Sequence, residues 1–202
     1  MLTSVDGICA PYKEERLDNG DLDSGLFCQK INGPGLTYEI VIGLYTGWLC
    51  SVKGPYKSGD WPDLKIAKEE GLVRALRKCA ETCIADGTDH NPVFINAKRG
   101  QPRQLSALIS VAKSRHESLN SRFKNFGIFL PLRGFRHDID THAIYFHAIA
   151  NLIQIEIEIE SPLFDIRFEL DAFDRFYGRY CRQYYRRQYR NRSRHARQVQ
   201  GH

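Results

Sequence analysis

Between residues 38 and 126 the spacing of apolar side chains changes period from two to 3.6. Tyr38, Ile40, Ile42 and Leu44 share one side of an extended chain, and Trp48, Cys50 and Val52 repeat the alternation after Tyr45-Thr46-Gly47. This predicts a β-hairpin over 38–53, ended by Gly54-Pro55. Farther on, Leu105, Leu108, Ile109, Ala112, His116, Leu119, Phe123 and Phe126 fall within a narrow arc at ~100° per residue. A helix over 103–126 follows, with Gly127 as its stop. A chain carrying both periods must cover a sheet with helices.

The flanking segments add to this order. Residues 3–8 form a short β-type run, and 82–85 a buried strand stopped by Asp86-Gly87. Between them, Asp60 or Ser58 caps a single helix with Pro62 in its first turn and a stripe of Leu64, Ala67, Leu72, Ala75 and Leu76, despite Gly71. Another helix starts at Thr141, capped by Asp140 or Thr141, and runs to about 156. The Ile-Glu alternation at 155–160 fits a strand better, and Ser161-Pro162 closes the region. Segments 11–25 and 88–102 read as loops. Strands mixed with crossover helices predict an α/β three-layer domain.

Composition narrows the class. A chain of 202 residues with 42% hydrophobic and 11% aromatic residues suits one folded domain with a tail. No apolar run approaches the ~20 residues of a membrane span, and the first residues lack a secretory signal pattern. The six cysteines lie at 9, 28, 50, 79, 83 and 181 without framework spacing, which reads as reduced thiols in an intracellular protein. The net charge of +5 is uneven: nine Arg and no acid lie in 175–202. An acidic body with a basic tail points to an anionic polymer, nucleic acid above all.

Three acids stand at element ends or on the long helix: Asp6 after the first strand, Asp86 after the buried strand, and Glu117 within 103–126. Parallel neighbouring strands would set Asp6 and Asp86 side by side. Converging carboxylates repel unless a hard cation neutralises them, and oxygen ligation favours Mg²⁺ or Mn²⁺. Spacing alone also admits ordinary turn chemistry for Asp-Gly, and a surface ion pair of Glu117 with Lys113.

Five landmarks in order sharpen this reading: Ser4-Val5-Asp6-Gly7; the hairpin of Tyr38-Glu39-Ile40-Val41-Ile42 and Trp48 to Pro55; Gly59-Asp60-Trp61-Pro62-Asp63-Leu64; Ile84-Ala85-Asp86-Gly87; and Arg115-His116-Glu117-Ser118-Leu119-Asn120-Ser121-Arg122-Phe123-Lys124. Together with Phe135-Arg136-His137-Asp138, they resemble the DDE superfamily endonuclease domain of PIF/Harbinger-type transposases over roughly residues 3 to 166. The resemblance implies a ribonuclease-H-like mixed sheet flanked by helices. It implies Asp6, Asp86 and Glu117 as catalytic metal ligands for divalent-metal-dependent cleavage of DNA, with Mg²⁺ or Mn²⁺ as cofactor. Departures are Gly87-Thr88-Asp89-His90, where the family more often has Gly-Tyr, and Ser118-Leu119-Asn120, where an aromatic and a Gly are commoner. Family members also usually carry a helical region upstream of the first aspartate.

Domain expectations are therefore an endonuclease-like domain over 1–170, lacking that upstream region, and a basic Arg/Tyr tail over 171–202. Asp63 is the candidate fourth metal carboxylate, against the simpler reading of a first-turn helix acid. Arg115, Arg122, Lys124 and, in the tail, Arg182, Arg186, Arg187 and Arg190 are the candidate phosphate contacts. Cys79 and Cys83 are better read as small buried thiols on helix and strand than as a zinc site with His90, and His137, His142 and His147 as capping or partly buried histidines. Partners expected are DNA and a separate Myb-like DNA-binding protein, in the nucleus and away from membranes. The rival reading is an inactive transposase-derived remnant that binds DNA or protein without cutting; RNA binding by the tail alone is weaker.

Overall fold

The structure, a computed structural model, describes residues 3–79, 81–85, 93–96, 103–129, 135 and 137–163. Six strands form a mixed sheet: β1 (Thr3–Pro11), β2 (Phe27–Cys28), β3 (Gly33–Gly43), β4 (Leu49–Lys57), β5 (Cys83–Ala85) and β6 (Phe94–Ile95). β3 runs antiparallel to both β1 and β4, while β5 is parallel to β1 and β6 parallel to β5. Four helices accompany the sheet: α1 (Asp63–Glu69), α2 (Leu72–Lys78), α3 (Arg103–Lys124) and α4 (Ile139–Ile159). This is an α/β architecture with the ribonuclease-H-like arrangement of a mixed sheet between helices. The tail lies outside the described residues.

Alternation sorts the two faces of the sheet. Ile8 and Ala10 of β1 and Leu36, Tyr38, Ile40 and Ile42 of β3 pack with Leu119 and Phe123 of α3 and Phe146, Ile149, Ile153 and Ile157 of α4. Phe146 stacks flat on Tyr38 with centroids 3.5 Å apart, and on Phe123 at 4.9 Å. A second cluster joins Cys83, Ala85 and Phe94 to Ala67, Val73 and Leu76 from α1 and α2, with Val5 against it.

Several expectations change. β1 runs to Pro11, so Asp6 lies within the first strand and not after it. Gly54-Pro55 does not end the second hairpin strand; β4 continues to Lys57. Tyr56 faces Thr37 and Lys53 faces Glu39, so one extra residue bulges on β4, a place where a proline without a donor is accommodated. The single helix after the hairpin is two, broken at Gly71 with φ +90°, a conformation that interrupts the helical hydrogen bonds. Neither Asp60 nor Ser58 caps the first of these; Pro62 holds its N-cap position without a side-chain bond. Residues 155–159 are helical: Ile157 is buried in the core, and Glu156 pairs with Arg122 at 3.1 Å. The cap of α4 is Asp138, whose carboxylate accepts from the Thr141 amide at 2.7 Å and its hydroxyl at 2.9 Å. Within the expected 88–102 loop, Phe94–Ile95 forms β6; a two-residue strand is too short to show an alternation.

Candidate functional site

Asp6 and Glu117, 111 positions apart in the chain, line one cavity of about 50 Å³ with Ser4, Val5, Ile84, Ala85, Lys113 and His116. Pairing creates this meeting. β1 and β5 run in parallel register with Val5 opposite Ala85, so Asp6 follows one member of that pair and Asp86 is next in the chain after the other. Asp86 itself lies outside the described residues. α3 crosses the same end of β1 and presents Lys113, His116, Glu117 and Asn120 along one side, as residues three and four apart on a helix do.

The Asp6 carboxylate is positioned from two directions. Its Oδ1 accepts from the Gly7 amide at 2.8 Å, and its Oδ2 lies 3.4 Å from the Asn120 amide nitrogen. Asp6 is half-buried and Glu117 exposed, so the cavity opens to solvent. His116 is buried against it. Burial holds its imidazole below the ordinary value, while the Asp6 charge beside it, the Ser4 backbone and Glu117 pull the other way. His116 was legible as a member of the apolar stripe and, like Asn120, as part of the glutamate motif, but neither as a neighbour of Asp6.

Not every candidate belongs to this group. Asp63 opens α1 and lies against Gly7, whose absent side chain makes room for its carboxylate. Neighbouring residues of a strand face opposite ways, so Asp63 sits across β1 from Asp6. It lines a different cavity of about 480 Å³ with Cys9, Cys28, Lys30, Ser58 and Trp61, and its carboxylate lies 3.9 Å from the Lys30 ammonium. Arg115 does not face phosphate. Its side chain is 1% exposed, and its guanidinium donates to the Leu44 and Leu163 carbonyls, tying α3 to the end of β3 and to the chain after α4. The helix angle that turns Glu117 outward turns Arg115 inward. Arg122 binds Glu156 and the Ser161 carbonyl at 2.7 Å, bracing α3 against α4. Lys124 is exposed at the C-terminal end of α3. Arg182, Arg186, Arg187 and Arg190 lie outside the described residues.

Among the described residues, the histidines and cysteines do not gather into a metal centre. Cys9, Cys28, Cys50, Cys79 and Cys83 are free thiols; Cys83 is buried on β5 as expected, but Cys79, at the C-cap of α2, is exposed and not buried, and His90 lies outside the described residues. His142 is buried, its Nδ1 2.8 Å from the Tyr38 hydroxyl, and burial lowers its pKa to about 4. Among the described residues no three His, Cys, Asp or Glu side chains converge on a metal position, a set from which Asp86 is missing. No described helix is long and apolar enough to cross a membrane. No family model, curated protein or solved structure matches this chain.

Proposed function

We propose that this chain is a divalent-metal-dependent DNA nuclease of the DDE transposase type, with Asp6, Asp86 and Glu117 as its carboxylates. The observation that carries the reading is the shared cavity: an aspartate within β1 and a helix glutamate face the same space, bordered by the residue preceding Asp86. The donor chemistry fits the cofactor, because carboxylate oxygens are the ligands Mg²⁺ and Mn²⁺ prefer. The cavity is of the size of one or two water molecules, each occupying ~30 Å³ of liquid.

When bound, such ions neutralise the carboxylates, activate a water and stabilise the leaving oxygen of a phosphodiester. The chain's own part is orientation. The Gly7 amide and Asn120 aim Asp6, and Glu117 is held at its station because Arg115 and Phe123 anchor α3 in the interior. Lys113 in the cavity, Lys124 at the helix end and Arg182, Arg186, Arg187 and Arg190 in the tail are the cations for a DNA backbone, giving salt-sensitive binding. Arg115 and Arg122 leave that set. Nuclear location and a Myb-like partner that supplies target recognition belong to the same reading.

The test is Mn²⁺-dependent nicking of supercoiled plasmid by the wild type and by Asp6→Ala, Asp86→Ala and Glu117→Ala, with circular dichroism to confirm folding. Each variant is expected to fall to background. Undiminished cleavage in all three refutes the assignment, and DNA binding by a wild type that cuts with neither Mg²⁺ nor Mn²⁺ supports the inactive remnant instead.

A further inference from the structure

α4 is buried on one side and apolar on the other. Ile144, Leu152, Ile155 and Ile159 are 69%, 55%, 53% and 75% exposed, and Ala148 lies open between them. At 100° per residue these five positions fall within about 80° of arc and extend about 22 Å along the helix. No Asp, Glu, Lys or Arg occurs from 141 to 155. A contiguous uncharged stripe of this kind is the mark of an interaction surface rather than of scattered surface hydrophobes.

We infer that this stripe pairs with the same stripe of a second copy of the chain, in an antiparallel two-fold contact. Two observations select that occupant. The first is spacing: the positions 144, 148, 152, 155 and 159 read nearly the same from either end. A two-fold axis near Asn151 and Leu152 sets Ile144 against the other copy's Ile159, and small Ala148 against its Ile155. The Leu152 side chains meet at the axis, as an isologous contact requires. The second is area. The exposed apolar residues offer on the order of 600 Å² per copy, hence about 1,200 Å² in a pair, the lower end of stable specific interfaces. The charged residues lie at the ends: Asp140 is in the first turn of α4 and Glu156, Glu158 and Glu160 at its C-terminal end, so the uncharged run 141–155 makes the centre of the contact. The same acids disfavour an anionic lipid surface as occupant.

Sedimentation velocity of the full chain at about 50 µM tests this. The wild type is expected at twice the chain mass. Leu152→Glu, which puts two carboxylates at the axis, and Ile144→Lys are each expected at the mass of one chain with an unchanged far-ultraviolet spectrum. A single-chain mass for the wild type overturns the inference, whatever then covers the stripe. A dimer that persists in both variants also overturns it, because the contact then lies elsewhere.

Discussion

Glu39 offers the most exacting test of the fold's physical chemistry. It lies mid-strand on β3, opposite Gly7 on one side and Lys53 on the other, and is 4% exposed. Neither carboxylate oxygen has a hydrogen-bond partner among the described residues. Lys53 donates instead to the Glu70 carbonyl. Burial raises the Glu39 pKa from 4.5 to about 7; the Lys53 charge lowers it, and Asp63 and Glu70 raise it further. The folded chain therefore keeps a proton on Glu39 at pH values where the unfolded chain has released it. Stability is complete below pH ~4.5, declines as pH rises toward 7, and is level above that. At 1.36 kcal/mol per pKa unit, the full decline is on the order of 3 kcal/mol. Glu39→Gln matches the protonated acid in shape and removes the ionisation. Urea unfolding of both proteins at pH 4.5, 6 and 8 is expected to show near-equal stabilities at pH 4.5 and a gain of about 2–3 kcal/mol for the variant at pH 8. A stability difference that does not change with pH, or a variant less stable than wild type at pH 8, would refute the reasoning.

Two other substitutions probe the supports of the site. Arg115→Met leaves the Leu44 and Leu163 carbonyls without their charged donor; a loss of about 2–4 kcal/mol in urea unfolding is expected, and DNA affinity measured on the folded protein at constant salt should not change. Asp138→Ala removes the side-chain cap of α4, with an expected cost of about 1 kcal/mol in the same assay.

The apolar periods of the chain determined the main elements, because burying one side of a strand or helix imposes a spacing that residues 38–44 and 103–124 carry in full. The α/β class and the buried β5 followed from that local evidence. Local evidence ran short where elements are brief or where tertiary contacts outweigh pattern. Phe94–Ile95 is too short to alternate. Gly54-Pro55 stays in β4 because a bulge absorbs it, and 155–159 stays helical because Ile157 enters the core and Arg122 grips Glu156. For the candidate site, residue type pointed to Asp6, Asp86 and Glu117, but only the β1–β5 register and the rotation of α3 decide what Asp6 and Glu117 share. The same rotation sends Arg115 inward, and the alternation of β1 sets Asp63 on the other face. A charged side chain reads alike in sequence whether it meets solvent or interior; the direction of its Cα–Cβ bond, set by the assembled sheet and helices, decides which.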